Sequence, residues 1–509
     1  MEKEIKKRGI SAALLCLACV MIAVLLSSLL CPYREEIPYP FDKHMGAYNP
    51  YEQQFDAFMK GQLHIDLAPD KALAELENPY DPYQREGIYY LWDRAYYDGK
   101  YFSYFGVAPI LTVYYPYYFI NGALPADDTV SAIFAVMTAL FFSMAALKLW
   151  AMLGRKTPAW LVWLLTIGAL ASTQIFLVMR GATRFYYIAT VSGMAFLSAF
   201  AWLFLCGISG TFCLEAREGR EEKPWMRPLI FALAGVAYGL CFLSRFNMAL
   251  AAAFVILPML WFCIVKENKG GKYEYRKIKK IAVELVALAL PVAVAIVVQL
   301  AMNYARFDSL FEFGTTYQLT VSDVSKNKLR LGDLGYAIFH YFLQPLTFTE
   351  DFPLASLFYT ALDSYGHFVY VDTGMGLFAI PFSWLLLASV FVFADKRKSV
   401  GLKAALGSLL FGMIFVAWLD FCLGGVIFRY TCDITLLSAL ASLGVAFTIS
   451  DGAQSGEGSL ALKRGSAVIL SLVAIATIYV SITLAFSKNV NLTDYPEGVY
   501  RAFRALFFK

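Results

Sequence analysis

Apolar runs long enough to cross a bilayer recur from Ile10 almost to the end of this 509-residue chain, which excludes a soluble fold. Lipid offers no partner for backbone amides, so each run must form a helix. The composition, 59% hydrophobic and 16% charged, agrees. The first run, Ile10 to Cys31, follows the basic start MEKEIKKR. It is long for a signal peptide and no A-x-A-like site follows, so it reads as an uncleaved span. The nine cysteines lie mostly inside apolar runs. That includes the Cys16-x2-Cys19 pair, and the pattern points to packing rather than disulfides or metal.

Lysine and arginine cluster at the N-terminus, at Arg155/Lys156, Arg217 to Arg227, Lys266 to Lys280, Lys396 to Lys398 and Lys463/Arg464. Short basic loops stay cytoplasmic. Satisfying all of these requires the run from Phe105 to Gly122, with Pro109, Pro116 and four closely spaced tyrosines, to be an interfacial or re-entrant helix. The expected fold is an all-α polytopic membrane protein of about 11 transmembrane helices, near 10–31, 128–153, 159–179, 185–208, 229–244, 247–265, 281–303, 374–394, 403–421, 427–449 and 466–486. Residues 1–31 then form the N-terminus and first span, 32–127 a large first extracytoplasmic loop with juxtamembrane helices, and 128–303 spans two to seven. A second large outer loop covers 304–373, four more spans 374–486, and a tail 487–509. Eleven spans place the C-terminus outside, where Arg501, Arg504 and Lys509 fit poorly. Residues 450–459 read as a flexible linker.

The chemistry should lie outside. Of 32 tyrosines, 16 fall between Tyr33 and Tyr118, and residues 32–104 hold thirteen acids against seven basic residues. Glu52 and Asp56 stand one turn apart on an expected helix from Tyr51 to Lys60, which ends at Gly61. Its apolar residues Phe55, Phe58 and Met59 would lie on the membrane. A carboxylate held beside lipid can have a raised pKa and serve as a general base; an acidic pair on a wet helix face is the plain alternative. Further along, Asp81 sits between Pro79 and Pro82, followed by Arg85, then Trp92-Asp93-Arg94 and Tyr96-Tyr97-Asp98-Gly99-Lys100. The prolines make a rigid turn and Asp98-Gly99 favours another. Rings interleaved with acids suit a sugar, which stacks on an aromatic and offers hydroxyls to acceptors. An aromatic belt anchoring the loop at the interface is the competing reading.

Arg180, Arg184, Arg245, Arg306 and Arg429 fall at outer span ends, against the positive-inside tendency. Lipid phosphate would explain them, since guanidinium pairs with it in a fork geometry. Snorkelling to ordinary head groups is the alternative, and for Arg429 an ion pair with Asp433. In the second loop, LGDLGYAIFHYFLQPL suits another interfacial helix. The four histidines have no metal-ligand spacing, and no phosphate-cradling glycine loop or serine nucleophile motif is present.

Three features resemble the GT-C class of integral membrane glycosyltransferases, in particular its protein O-mannosyltransferase and aminoarabinose transferase branch. They are the acidic loop after span one, Tyr51-x5-Ala57-x3-Gly61, and Ala108-Pro109-Ile110-Leu111 with Gly122-Ala-Leu-Pro125 leading into span two. The resemblance covers residues 10–150 and, beyond them, only the layout. It implies a sugar on a polyprenyl-phosphate donor and a loop-one aspartate that activates the acceptor hydroxyl. That aspartate's place falls near Asn49, and Val107 stands where the family carries a basic residue, Lys100 being the nearest substitute.

The expected function is therefore an inverting glycosyltransferase at the outer face of the membrane. Asp56 first, then Glu52 or Asp42, would act as base. Arg245, Arg429 and Lys100 would stabilise the departing lipid phosphate. Asp81, Arg85, Trp92, Asp93, Tyr96 and Tyr97 would bind sugar. The expected partners are a polyprenyl-phosphate-linked sugar, a cell-envelope glycan, lipid or protein acceptor, and membrane lipid, with no nucleic acid. No cofactor or metal is implied, because a lipid-phosphate leaving group needs none in principle. The expected location is a plasma membrane, bacterial in type. A transporter or flippase of lipid-linked saccharide is the alternative, and a scaffold binding cell-wall polymer a third.

Overall fold

The computed structural model describes residues 2–30, 35–180, 185–212, 223, 225–262, 266–269, 272–348, 350, 354–357, 365–396, 399–455, 460–487, 498, 501–502 and 504–505. Cys31, Arg184, the basic run 217–220, Arg397/Lys398, linker residues 456–459 and most of the C-terminal tail lie outside the described residues.

Among the described residues, eight helices are long and apolar enough to cross a membrane. They are Glu2–Leu30, Asp127–Leu153, Tyr186–Ser209, Met226–Ser244, Ile278–Phe307, Val400–Gly424, Phe428–Ser455 and Leu460–Ala485. Their ends follow local chemistry. Asp127 and Asp128 occupy the first turn of their helix, where carboxylates complement the dipole. Ser399 caps the 400–424 helix by accepting from the Leu402 amide, and Gly210 ends the 186–209 helix at φ 75°.

Packing is sequential in part: 2–30 lies on 127–153, which lies on 186–209, then 226–244, then 278–307. The helix Phe246–Leu260 crosses 400–424, and 460–485 packs on Ala159–Ser172. The two ends of the loop-one segment, Leu30 and Asp127, thus meet at one end of the bundle.

Three expected spans differ in form. The 159–179 stretch is broken into Ala159–Ser172 and Ile175–Arg180. Ser172 and Thr173 turn their hydroxyls back to the carbonyls of Ala169 and Leu170, and Gln174 takes φ 67°. The 374–394 stretch forms 3₁₀ turns at Leu377–Ala379 and Pro381–Leu386 before a short helix Ser389–Ala394. In the 247–265 stretch the helix Phe246–Leu260 winds on as a π turn at 261–262, 263–265 lie outside the described residues, and Lys266–Lys269 pairs with Lys272–Tyr275 as a hairpin.

Loops one and two fold against each other around a small second core of Ile65, Leu73, Leu91, Tyr96, Tyr101 and Leu319, apart from the bundle core. Strands Ala95–Tyr97 and Lys100–Phe102 form a hairpin across Asp98 and Gly99, both at positive φ as a type I′ turn requires. Loop two closes on it: the amides of Asp93 and Tyr96 donate to Leu319 and Tyr317 carbonyls at 3.0 and 2.9 Å. Arg306, one of the arginines assigned to lipid, ties the 278–307 helix to loop one through the Ser103 carbonyl at 2.7 Å.

The Phe105–Gly122 stretch is a π-turn, Ile110–Tyr114, continuing into the helix Tyr115–Asn121 and stopped by Gly122 at φ 74°. Pro116 has no N–H for the preceding turn, which favours this winding. Phe119 and Ile120 project outward, and the opposite side covers the helix Pro50–Met59. Phe55 is therefore not on the membrane as expected: it is fully buried, with Tyr115 and Tyr118 rings 5.0 and 5.4 Å away.

Candidate functional site

A cavity of about 810 Å³ opens at the loop-one end of the bundle. Its wall includes Glu35, Glu36, Asp42, Lys43, Asn49, Glu52, Asp127 and Tyr186. The short pairing of Ile37–Pro38 with Ala123–Leu124 brings the chain after span one beside the start of the 127–153 helix.

The cap of the Pro50–Met59 helix builds the centre of this wall. Asn49 accepts from the amides of Tyr51 and Glu52 at 2.8 and 3.1 Å, and Glu52 reaches back to the Asn49 amide at 2.9 Å. This is a capping box, with Pro50 pre-set for the first helical position. The Asn49 side-chain amide then donates both its hydrogens, to Glu52 Oε1 at 2.6 Å and to Asp127 Oδ1 at 2.7 Å. A local helix signal thus spans 78 residues and joins loop one to span two.

Burial pushes the Glu52 carboxyl up to about 7, the Asn49 hydrogen bonds and the nearby Arg94 only partly opposing it. Arg94 is itself buried, which lowers its guanidinium to about 10. It donates to Gln53 Oε1 at 2.7 Å and to the Trp92 carbonyl at 2.8 Å.

The other two expected bases lie differently. Asp56, one turn on, is outside the cavity wall: it pairs with Lys60 at 3.0 Å and accepts from the Tyr39 hydroxyl at 3.2 Å. Burial, with Asp56 next, pushes that phenol up to about 12. Asp42 is in the wall and accepts from Tyr48, whose ring stacks on Phe41 at 3.8 Å.

Among the expected sugar ligands, Trp92 is 46% exposed, whereas Tyr96 is buried in the second core. Tyr97 packs on Tyr317, 4.7 Å between centroids. Asp81 accepts from the Tyr83 amide at 3.0 Å in its turn. Arg85 is buried, lies 4.4 Å from the Tyr90 ring centre and donates to the Thr320 carbonyl at 2.7 Å. Lys100 stands exposed beside the hairpin turn.

Asp93, at φ 54°, accepts a hydrogen bond from the hydroxyl of Tyr186. The Tyr186 ring in turn faces the Arg429 guanidinium at 4.7 Å, with Tyr430 at 5.2 Å on that cation. Arg429 has no carboxylate partner among the described residues. Asp433, its partner in the alternative sequence reading, is held instead by Arg245, including an Nη2 to Oδ2 bond of 2.9 Å. Asp420 beside them accepts from Asn247.

Sequence reasoning passed over Asn49 as a bridge, Asp127 and Tyr186. The capping-box spacing Asn49-Pro-Tyr-Glu52 and the carboxylate pair opening span two were visible signals. Nothing local marks Tyr186, whose partners lie 93 and 243 positions away (93 to 186, 186 to 429).

No protein-family model and no curated protein matches this sequence. Among solved structures it is similar to the Archaeoglobus fulgidus oligosaccharyltransferase in its apo form, at 13% identity and a TM-score of 0.48, over 92% of this chain and 55% of that one. The archaeal oligosaccharyltransferase AglB of the same organism, in complex with an inhibitory peptide and a dolichol-phosphate, gives 13% and 0.45 over 95% and 56%. The form tethered to an acceptor peptide gives 14% and 0.43 over 93% and 56%. The chain spans just over half the length of these proteins. Similarity at this level carries no activity or site residue to this chain.

Proposed function

We propose that this protein is a GT-C-type membrane glycosyltransferase that moves a sugar from a polyprenyl-phosphate donor to an acceptor hydroxyl at the outer membrane face, with inversion. The observation that carries the reading is Glu52: a buried carboxyl brought to about 7 in the wall of a cavity large enough for a sugar. A base whose pKa matches neutral pH combines availability with proton affinity. The acceptor oxygen attacks the anomeric carbon opposite the phosphate and a new glycosidic C–O bond forms. The C–O bond to the phosphate breaks, its electron pair stays on the phosphate, and Glu52 takes the acceptor proton.

Arg429 suits the departing phosphate, being a cation in the first turn of the 428–455 helix without a carboxylate partner among the described residues. Arg245 is less suited, since Asp433 already neutralises it. The test is transfer by the purified protein from a panel of radiolabelled polyprenyl-phosphate sugars to cell-envelope extract. Glu52→Gln should cut turnover by about 10²–10⁴-fold. Asp56→Asn should retain most activity, and Arg429→Gln should weaken donor use. Full activity in Glu52→Gln would refute this assignment of the base.

One observation favours a transporter of lipid-linked saccharide as the second reading: Arg245, Asp433, Asp420 and Asn247 form an ionisable cluster between membrane helices. Donor movement across reconstituted vesicles without any transfer would select it.

A further inference from the structure

Two aromatic rings of loop one stand exposed and connect to the cavity wall through their neighbours. Trp92 is 46% and Tyr89 57% exposed. Tyr89 brings its hydroxyl so close over Gly46 that a Cβ there would collide with it, and Gly46 precedes the cavity-wall residues Ala47, Tyr48 and Asn49. Trp92 precedes Asp93, which holds the Tyr186 hydroxyl of the same wall.

Trp92 sits on a fixed backbone. The Trp92 carbonyl accepts from Arg94, and loop two clamps Asp93 and Arg94 through Leu319 at 3.0 and 2.9 Å. Tyr90 lies between the Arg85 guanidinium at 4.4 Å and the Trp92 ring at 6.3 Å, which fixes one edge of the indole. The two rings' neighbours Tyr90 and Leu91 pack on the second core rather than on the bundle core. A rigid exposed ring loses little entropy on contact and offers a face to the C–H side of a pyranose. The surrounding loop is acidic, thirteen acids to seven bases over residues 32–104, which opposes a polyanion and leaves carboxylates free to accept from hydroxyls.

We infer that Trp92 and Tyr89 form a subsite for a neutral saccharide chain, the acceptor, which threads from this ledge to present one hydroxyl to Glu52. The inference rests on the transferase reading for its role but not for its measurement. The measurement is calorimetric titration of the full-length protein in detergent, without donor, with neutral hexasaccharides of glucose, mannose, galactose and N-acetylglucosamine, alongside a glycerol-phosphate oligomer and an acidic peptide. At least one neutral hexasaccharide should bind saturably. The Tyr89→Ala/Trp92→Ala double substitution should weaken it on the order of tenfold or more, and Trp92→Phe should retain most of it.

No binding by any neutral hexasaccharide overturns the inference, as does equal binding by the double variant or tighter binding of the phosphate oligomer or the peptide. Loss of transfer in Glu52→Gln with intact saccharide binding would support both readings. Saccharide binding without any transfer would overturn the transferase and keep the ledge.

Discussion

Asn49→Ala tests how the cap and the chemistry are joined. The Asn49 side chain donates to Glu52 Oε1 at 2.6 Å, and that bond favours the ionised carboxylate. A hydrogen bond to a charged group contributes about 1.5–3 kcal/mol, so losing it should raise the Glu52 pKa by about 1–2 units from its value near 7. With its carboxyl near 7, Glu52, the proposed base, should be about half deprotonated at pH 7; in the variant the ionised fraction should fall to about 1–10%. The kcat/KM for transfer at pH 7 should therefore drop about 5–50-fold, while the alkaline plateau is largely kept. The native profile should rise with unit slope and bend near pH 7, that of Asn49→Ala near pH 8 to 9. Initial rates across pH 5.5 to 10 measure both curves. An unshifted bend, or equal loss at every pH, would refute the claim that Asn49 sets the protonation of Glu52, the proposed base.

The remaining predictions concern stability. Because burial raises Glu52 in the folded state, its stabilising contribution is complete below the unfolded carboxyl value of about 4.3 and is lost as pH rises through about 7, a swing of about 3.5 kcal/mol. Thermal unfolding in detergent should show that decline, and Glu52→Gln should remove it. Asp433→Asn takes the buried carboxylate from half-buried Arg245 and should cost about 3–5 kcal/mol; the double change to Arg245→Leu/Asp433→Leu should cost less, and equal losses would contradict the pairing. Gly106→Ala puts a methyl into the backbone carbonyls of Leu243 and Ser244, which cannot give way, and should cost about 1–3 kcal/mol. Gly332→Ala, with open space around it, should stay within about 0.5 kcal/mol.

Long-run hydrophobicity made the membrane helices legible in the sequence, because lipid reduces the choice of structure to helix. The breaks were less legible. At Thr173 and Gln174 a hydroxyl turned back onto its own helix ended an apolar run that hydropathy alone reads as continuous. The juxtamembrane helix was expected, but not the side it would cover. Phe55, Phe58 and Met59 satisfy the pattern of a lipid-facing stripe as well as that of a protein-facing one, and only the fold of residues 110–121 over them decides for Phe55.

The same limit governs the site and gives it its logic. Glu52 and Asp56 share one face of one helix, so spacing alone ranks them equally. What separates them is their partners. Asp56 meets Lys60, an i,i+4 cation written into the same ten-residue helix and its cap. Glu52 meets Asn49, which passes its second hydrogen to Asp127 from a distant span. Local pairing keeps Asp56 supplied with its own positive charge and away from the cavity wall, whereas the long-range bridge leaves Glu52, among the described residues, without a salt-bridging cation. Burial then raises its proton affinity. The asparagine at position 49 follows the same logic. An aspartate there would put a third carboxylate between Glu52 and Asp127, whereas the neutral amide, donating to both, lets two acids share one wall.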